Sequence, residues 1–300
     1  MIKSIDPAHL PVPAVHGYLL GAVAPRPIAF ASTVDGDGNV NLSPFSFFNV
    51  FSANPPVMIF SPARRGTDNT TKHTYENVLR VPEVVINVVN HAVVEQMSLA
   101  STSYAAGVNE FVKAGLTEVA SSKVMPPRVA ECPVAFECVV DDVIQLGDQG
   151  GAGNLVICRV VMIHMDEQYL DDAGKLDTAK LDLVGRMGGS WYCRASGPAL
   201  FEIPKPLRTR GIGVDQLPAS IRNSTVLTGN NLGRLGNVEQ LPSLEAVEAM
   251  RNAEELKNVL ADASDSKSLT HAIHQLAQQK LEAGDAVAAL TTLLVLEQES

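Results

Sequence analysis

The stretch that decides the fold is PIAFASTVDGDGNVNLSPFSFFNVF, residues 27–51. Its first eight residues, PIAFASTV, are rich in residues that favour β-strands. The tetrapeptide DGDG at 35–38 then supplies residues that tolerate the positive φ of a hairpin turn. A second extended run, Asn39 to Phe51, follows the turn. The stretch therefore predicts a β-hairpin within a first segment of about ninety residues that is mostly β.

Further strands are predicted downstream of this hairpin. The runs VMIFS at 57–61 and VVINVV at 84–89 are short and apolar enough to be buried strands. Two longer β-like runs, 134–146 and 155–165, flank a glycine-rich segment at 147–153. Because turn-forming residues join two long extended runs, this part of the sequence predicts a long hairpin with a flexible tip.

Helical patterns and an irregular segment separate and follow these strands. Thr67 to Arg80 has polar starters and thinly spaced apolar residues, which predicts a short surface helix, and Val94 to Ala100 suggests another. From Asp166 to about Pro218 there are many Gly and Pro residues, among them Pro204 and Pro206. That composition predicts an irregular covering arm, of the kind that often crosses a dimer interface.

The C-terminal part of the chain is predicted to be helical. Ser243 can cap one helix, and a second runs from about Ser268. The sequence EAGD at 282–285 interrupts the apolar pattern, so the second stretch predicts a helical hairpin. The segment 229–236, rich in Asn and Gly, is predicted to be a linker or docking loop.

Composition limits the classes of function. The chain has 300 residues, of which 46% are hydrophobic and 19% charged, as expected for a chain that can bury a core. Its net charge of −10 argues against a general nucleic-acid binder, because phosphate contacts need clustered Lys and Arg. No apolar run has the length of a membrane span, and the first residues do not resemble a signal peptide. A cytoplasmic protein without membrane contact is therefore predicted.

The cysteines and histidines give no metal pattern. The four cysteines contain no CxxC pair, and no His lies at a spacing that would complete a zinc site with them. The seven His residues contain no HExxH motif. We therefore predict no metal site, and we expect buried free thiols in the β-like segments.

A first polar cluster lies at Ser32 and Thr33. The two hydroxyls could donate to the oxygens of a phosphorylated, oxygen-rich ligand. They could equally line the polar face of an edge strand, where such residues are common. The residues alone leave both interpretations open.

A second cluster spans Asn41 to Asn49, where aromatic residues alternate with short hydrogen-bonding residues around a proline. A flat ring would find stacking partners and donors there. Ser43 and Ser46 are predicted to contact a ligand. Phe47 and Phe48 are expected to fill the core instead.

A third cluster is cationic in an otherwise acidic chain. Arg64, Arg65 and Lys72 fall within nine residues and lie next to several threonines, among them Thr74. The start of the predicted helix presents unpaired N–H groups to an anion, and the cations add charge-assisted donors. No P-loop or strand-anchored GxGxxG motif is present. The cluster therefore predicts a phosphate pocket of another type.

Five segments, read in order, resemble the flavin reductase-like family of FMN-binding split barrels, and within it the flavoredoxin branch. They are APRPIAFAST at 24–33, DGNVNLSPFSFFN at 37–49, NPPVMIFS at 54–61, KHTYEN at 72–77 and LVGRMGGSWYCR at 183–194. The resemblance covers roughly residues 10–210. Each piece alone is a weak signal, but the ordered set is specific.

The resemblance implies a mainly β fold: a six-stranded antiparallel Greek-key split barrel with peripheral helices. Residues 1–215 would form this FMN-binding domain, and 216–300 a linker and helical extension. It also implies a homodimer with FMN at the subunit interface.

The resemblance further implies roles for individual side chains. The phosphate would be held at Arg64, Lys72 and Thr74, and the family's usual Lys-Asp-Thr is Lys-His-Thr here, which removes an acidic neighbour. The remaining candidates would lie along the flavin or approach its ring. Those expected along the flavin are Ser32, Thr33, Ser43, Phe45 and Ser46, and those expected to approach it are His164, Arg186 and Tyr192.

Three functions are consistent with such a site. In the first, the protein is an NAD(P)H-dependent flavin oxidoreductase in which hydride passes from nicotinamide to bound FMN. In the second, it is a non-enzymatic FMN electron carrier that serves a redox partner protein. In the third, the barrel holds another ligand, such as a pyridoxal-type phosphate or a haem, because function does not follow from fold. The aromatic second cluster favours a flavin.

Overall fold

The structure, a computed structural model, describes residues 1–203 and 209–299. The chain divides into two compact units, Met1–Phe201 and Glu202–Ser300. Every strand of the described residues lies in the first unit, and the second is helical. Residues 204–208, which include Pro204 and Pro206 of the predicted irregular arm, lie outside the described residues. The domain boundary expected at 215 stays a prediction.

The strands of the first unit form one large sheet and two small ones. In chain order they are β1 Ala29–Val34, β2 Val40–Phe45, β3 Phe48–Ala53, β4 Pro56–Phe60, β5 Glu83–Val88, β6 Glu118–Val119, β7 Arg128–Val129, β8 Val134–Gln145, β9 Asn154–Met165, β10 Val184–Arg186 and β11 Tyr192–Arg194. The large sheet has the order β2-β1-β5-β8-β9-β4-β3, and every pairing in it is antiparallel. The pairs β6–β7 and β10–β11 form separate hairpins.

In the described part of the chain, five α-helices belong to the first unit with this sheet, and six belong to the second unit. Those of the first unit are α1 Val12–Ala22, α2 His73–Arg80, α3 Val94–Ala100, α4 Glu110–Ala114 and α5 Thr178–Leu181. Those of the second are α6 Ala219–Arg222, α7 Gly229–Gly236, α8 Leu244–Arg251, α9 Glu254–Asp262, α10 Ser266–Glu282 and α11 Ala286–Leu294. Among the described residues, no helix is both long enough and apolar enough to cross a membrane.

This architecture confirms the predicted mainly β fold with peripheral helices and a helical C-terminal extension. The sheet has seven strands instead of six, because the single extended run expected over 39–51 is divided. β2 pairs with β1 up to Phe45, whereas β3 begins at Phe48 and pairs with β4. Ser46 and Phe47 therefore carry the chain from one edge of the sheet to the other.

Strand β1 is buried on both faces. Successive side chains of a strand point to opposite faces, so Phe30 packs with Met97 and Phe111 of the neighbouring helices. Ala29 and Ala31 instead pack inside the sheet's own core. Strand β1 therefore lies between two apolar layers. Its pairing with β2 fixes the position of that strand.

Two further expectations are corrected. The helix expected from Thr67 begins only at His73, because a turn at 66–68 and Asn69 at φ +59° come before it. The segment 229–236, expected to be a linker or docking loop, is helix α7. It begins with a capping box in which Thr228 and Asn231 satisfy each other's backbone N–H groups.

Candidate functional site

A cavity of about 260 Å³ lies among α1, the end of β2 and the residue that precedes α2. Ser43, Phe45 and Ser46 of the second sequence cluster line one side of it, and Lys72 and Ser61 line another. The second and third clusters, which are separate along the chain, therefore meet in space through Ser46 and Lys72. Hydroxyls, an aromatic ring and a cation share one cavity.

A second cavity of about 180 Å³ adjoins the first. Both are lined by Pro44, Phe45, Ser46 and Ser101, so these residues join them. Arg186 and Tyr192 of the β10–β11 hairpin line only the second cavity. Together the two spaces fall within the range of about 300 to 1,000 Å³ that is usual for small-molecule sites. We refer to them as the joined cavities.

Lys72 is the cation of the first cavity. It occupies the N-cap position of α2 and is only partly exposed. Burial lowers the pKa of the Lys72 ammonium, the positive charge of Arg65 lowers it further, and Asp68 acts in the opposite direction. In the part of the chain that the structure describes, the ammonium has no hydrogen-bond or ion-pair partner. An anionic ligand would supply the missing partner.

The start of α2 is held rigidly against the sheet by two buried hydrogen bonds. Asn41 Nδ2 donates to Thr74 Oγ1 at 2.9 Å, and Asn77 Nδ2 donates to Thr33 Oγ1 at 3.1 Å. Thr33 and Thr74 are almost fully buried. Their hydroxyl oxygens therefore fix the position of the helix that carries Lys72, and neither residue lines the joined cavities.

The two arginines of the third cluster are engaged in their own loop. Arg64 Nε donates to Asn69 Oδ1 at 2.7 Å, and its NH2 group donates to the Asn69 carbonyl at 2.7 Å. Arg65 donates to Thr70 Oγ1 and to the carbonyl of Thr71. Arg64 does not line the first cavity. It shapes the loop before Lys72, and its charge adds to the local positive potential.

Two serines have hydroxyl protons that are available to a ligand. Ser61 Oγ accepts from the N–H of Asn154 at 3.0 Å, and Ser46 Oγ lies 3.4 Å from the Nε of Arg26. Because each oxygen already accepts from a protein donor, its own O–H is left to donate elsewhere. Both residues line the first cavity, so the donors are available there.

Phe45 supplies the apolar side of the joined cavities. It packs against Phe60 with ring centroids 5.4 Å apart and belongs to the core inside the sheet.

Ser32 lies away from the joined cavities. It alternates with Ala31 and Thr33 along β1, so its side chain is on the Phe30 face, and its hydroxyl is buried with no partner among the described residues. The structure does not bring Ser32 to the joined cavities.

The β10–β11 hairpin places a stacked cation at the second cavity. The Arg186 guanidinium lies over the Tyr192 ring, 4.6 Å from its centroid. Arg186 also donates to the carbonyl of Trp191 at 3.3 Å. The stack holds the guanidinium at the wall of the cavity with its remaining N–H groups available.

His164 lies at a different cavity, of about 480 Å³, near the end of β9. Its Nε2 is 2.5 Å from Oε1 of Glu137, a fully buried carboxylate. Burial acts to raise the pKa of Glu137, but the N–H groups of Ser122 and Lys123 and the His164 bond outweigh it and hold that pKa below its usual value. The ionised carboxylate can only accept, so Nε2 carries the proton. His164 is not brought together with Lys72 or Ser43.

Other cavity residues were not selected from the sequence. His16 lies on α1, a helix that was not predicted. Its ring forms a T-shaped contact with the ring of Phe47, with centroids 6.4 Å apart. Ser61 was assigned as the last residue of the predicted strand 57–61 and was not predicted as a site residue. Ser101, just after α3, gave no signal, because a lone serine at a helix end is common.

The sequence of the region that contains the joined cavities matches a known family. Residues 21–180 match the sequence model of the flavin reductase like domain. The chain belongs to the flavin reductase like domain family. This match covers more than half of the chain and ends well before the helical second unit.

Several proteins are similar to this chain over the same region. A protein of Aquifex aeolicus is 37% identical over 185 residues, which are 62% of this chain and 92% of that protein. Nitrilotriacetate monooxygenase component B from Bacillus cereus has a TM-score of 0.63 and 28% identity, over 68% of this chain and 99% of that one. A structure described as a flavin reductase with split barrel domain, from Shewanella frigidimarina, has a TM-score of 0.56 and 26% identity, over 66% and 96%.

The family and the geometry together establish the general role. The fold is a split barrel of the flavin reductase like domain family, and the role is flavin-related redox chemistry. Within the described residues, no group of three or more His, Cys, Asp or Glu side chains could hold a metal ion.

Proposed function

We propose that the joined cavities bind FMN and that the protein is an NAD(P)H-dependent flavin oxidoreductase. The observation that carries the proposal is Lys72, a desolvated ammonium at a cavity wall without an anionic partner in the described chain. A dianionic phosphate from a ligand would offset the free-energy cost of burying the Lys72 ammonium. Lys72 is also the N-cap residue of α2, so the positive end of the helix dipole adds to the potential at that wall of the cavity.

The rest of the first cavity fits the remainder of FMN. Ser43, Ser46 and Ser61 offer hydroxyls suited to a polyol chain, and Phe45 offers an apolar wall to a flat ring. When bound, the flavin would supply the hydride-accepting centre and the electron store. The chain itself would bind the phosphate, orient the ring and exclude water from one of its faces.

The second cavity supports the choice of a nicotinamide nucleotide as electron donor. It adjoins the first along 44–46, so a second planar group there would lie next to the first. Arg186, held over Tyr192, supplies a cation for an anionic co-substrate. Of the remaining candidates, Thr33, Thr74 and Arg64 would act indirectly, through the placement of Lys72.

A homodimer with FMN at its interface is part of the proposal. Helix α1 has no buried residue although it is largely apolar, and Tyr18 and Val23 are more than half exposed. On β3, an edge strand, Val50 and Phe51 are exposed as well. Apolar surface of this kind is typical of protein contact sites, and a second copy would cover it. A redox partner protein is the other occupant that the proposal allows.

The test is direct. The full-length chain is refolded without cofactor and titrated with FMN, and uptake is followed by quenching of flavin fluorescence. The loaded protein is then mixed anaerobically with NADH and, separately, with NADPH, and the flavin absorbance is recorded. We expect saturable FMN uptake and bleaching by at least one nucleotide.

Each outcome has a distinct meaning. FMN uptake without bleaching by either nucleotide would reject the reductase and favour an electron carrier that serves a partner protein. A chain that takes up no FMN but retains pyridoxal phosphate or haem would reject the flavin assignment. Sedimentation of the loaded protein at two concentrations reports on the dimer independently of the chemistry.

A further inference from the structure

Arg26 is a buried cation that holds the walls of the joined cavities together. Its side chain is 6% exposed. NH1 donates to the carbonyls of Leu20 at 2.7 Å and Val23 at 2.5 Å, and NH2 donates to the carbonyl of Met187 at 2.9 Å. Nε points to Ser46 Oγ at 3.4 Å. One guanidinium thus connects the end of α1, the β10–β11 hairpin and the residue after β2.

The charge of Arg26 is solvated by neutral groups alone. No carboxylate forms an ion pair with it in the described ranges, and the carbonyls of Leu20 and Val23 belong to the C-terminal end of α1, where the helix dipole is negative. Burial lowers the pKa of Arg26, and the nearby charge of Arg186 lowers it further. An arginine nevertheless stays protonated at neutral pH. Because no carboxylate neutralises it, this charge contributes a positive potential to the adjoining cavities.

The hydrogen bond from Arg26 sets the direction of the Ser46 hydroxyl proton. Ser46 Oγ accepts from Arg26, so its single proton is directed away from the guanidinium. Ser46 lines both cavities. A polarised O–H donor is therefore presented where the two cavities meet, at the place where the proposed flavin ring and its co-substrate would lie.

We propose that Arg26 is a positioning residue that orients the Ser46 hydroxyl and, with Arg186, sets a positive potential in the joined cavities that favours the reduced flavin. The inference rests on the proposed FMN binding. Two electrons and one proton added to the oxidised ring leave it with one additional negative charge. The cation pair attracts that charge, and Ser46 donates to the more electron-rich ring. Arg26 itself does not touch the cofactor.

The experiment compares full-length wild type with Arg26→Gln and Arg26→Lys. Arg159→Gln is the matched control, because Arg159 is an exposed arginine whose ion pair with Asp141 lies outside both cavities. The affinity for oxidised FMN is measured by fluorescence quenching. The midpoint potential of bound FMN is measured by anaerobic titration with dithionite against a reference dye.

Arg26→Gln should weaken binding of reduced FMN about tenfold more than binding of oxidised FMN. For a two-electron couple, that ratio lowers the midpoint potential by about 30 mV. Arg26→Lys keeps the charge and should stay close to the wild-type potential, even if it loses thermal stability. Arg159→Gln should change neither affinity nor potential.

A purely structural role would weaken both forms of FMN equally and leave the potential of Arg26→Gln unchanged, which overturns the inference while FMN binding stands. An equal shift in Arg26→Lys overturns it too, because the charge would then be irrelevant. If Arg26→Gln does not fold, Arg186→Gln decides: a lowered potential supports the cation pair, and an unchanged one rejects it. A wild-type chain that takes up no FMN rejects the proposed function and this inference together.

Discussion

Lys72 combines an unfavourable environment with an unused charge. Its ammonium is desolvated, repelled by Arg65 and only weakly attracted by Asp68. A protein retains such a group when it binds something, because an ordinary surface lysine is solvated and costs nothing. Stability and binding are therefore expected to respond to its removal in opposite directions.

We predict that Lys72→Met weakens FMN binding about 10- to 150-fold, the equivalent of about 1.5 to 3 kcal/mol for a hydrogen bond to a charged group. The cofactor-free protein should gain up to about 1 kcal/mol of unfolding free energy, because the cost of burying the charge is removed. Fluorescence titration and thermal denaturation measure the two effects. Lys175→Met, at an exposed lysine, is the control and should change neither.

The same residue gives a pH dependence with a definite sign. Because burial holds the pKa of Lys72 below its usual value, the unfolded chain binds more protons there than the cofactor-free native state does. The native state therefore gains stability as pH rises through the lowered pKa towards about 10.4. FMN affinity should fall over the same interval, since the phosphate needs the charged form.

Ser32 gives a contrasting prediction. Its hydroxyl is fully buried with no partner in the described chain, and such a group costs about 1 to 3 kcal/mol. Ser32→Ala removes the hydroxyl with little change of shape, so we expect a higher melting temperature and unchanged FMN affinity. Ser43→Ala, at a cavity residue, serves as the matched variant and should lose affinity. A loss of affinity in Ser32→Ala would place this hydroxyl at the cofactor.

At the scale of elements, strong local patterns were predictive. The runs 134–146 and 155–165 became β8 and β9, which differ from the prediction by only one residue at one end, because long series of β-branched residues determine a strand without help from context. α3 coincides with the expected helix 94–100. The helical hairpin appears as α10 and α11, with the break at the expected sequence EAGD.

Weak or purely compositional signals gave missing or wrong predictions for α1 and α7. α1 is apolar on all sides and has no buried residue, so no amphipathic period marks it. α7 contains three glycines, which suggested a linker, but Thr228 and Asn231 cap it, and Leu235 anchors it in the core of the second unit. Capping and burial outweigh helix propensity, and burial is decided by residues far along the chain.

The same dependence on residues far along the chain limited the prediction of the candidate site. The sequence located strand ends and polar clusters, and the structure brings Ser43, Ser46 and Lys72 together at one cavity. It could not tell which sheet face a residue occupies, so Ser32 was grouped with Ser43 although their side chains lie on opposite faces. Nor could it reveal Arg26, whose role depends on carbonyls of α1 and of a hairpin residue 161 positions away along the chain.

Helix α10 carries a buried histidine that should respond to acid. Ser224 Oγ accepts from the N–H groups of Val226 and Leu227, so it donates its proton to Nδ1 of His274 at 2.7 Å. The proton of the neutral ring is then on Nε2, which has no partner among described residues. Burial lowers the pKa of His274, and nearby His271 lowers it further.

We predict that the helical second unit loses stability as pH falls below about 6.5, because the unfolded chain then binds a proton that the native state excludes. The loss is at most about 1.4 kcal/mol per pH unit for one group. Circular dichroism at 222 nm, recorded during thermal melts between pH 7 and 5, measures it. His274→Asn should remove this component, whereas His271→Gln removes only the smaller of the two causes of the lowered pKa and should leave most of it in place.

At the scale of the whole molecule, each unit has its own apolar core. The first contains the layers around Phe30 and around Phe60. The second contains clusters around Leu235 and around Leu256. Every residue that lines the joined cavities belongs to the first unit, as does the whole family match. Cofactor binding and the helical extension are therefore expected to be separable.

We accordingly predict that a fragment of residues 1–201 folds alone and binds FMN within about threefold of the full chain, since it loses none of the cavity's donors. A fragment of residues 209–300 should be helical by circular dichroism and should retain the acid sensitivity assigned to His274. Calorimetry of the full chain should then resolve two transitions. FMN should raise the temperature of one transition, and acid should lower the temperature of the other.

A fragment 1–201 that folds but binds FMN more than tenfold more weakly would show that the helical unit contributes to the site. Replacement of Lys72 in both lengths of chain tells whether that contribution reaches the phosphate end of the cavity: the mutational loss should be the same in each if the two units are energetically independent.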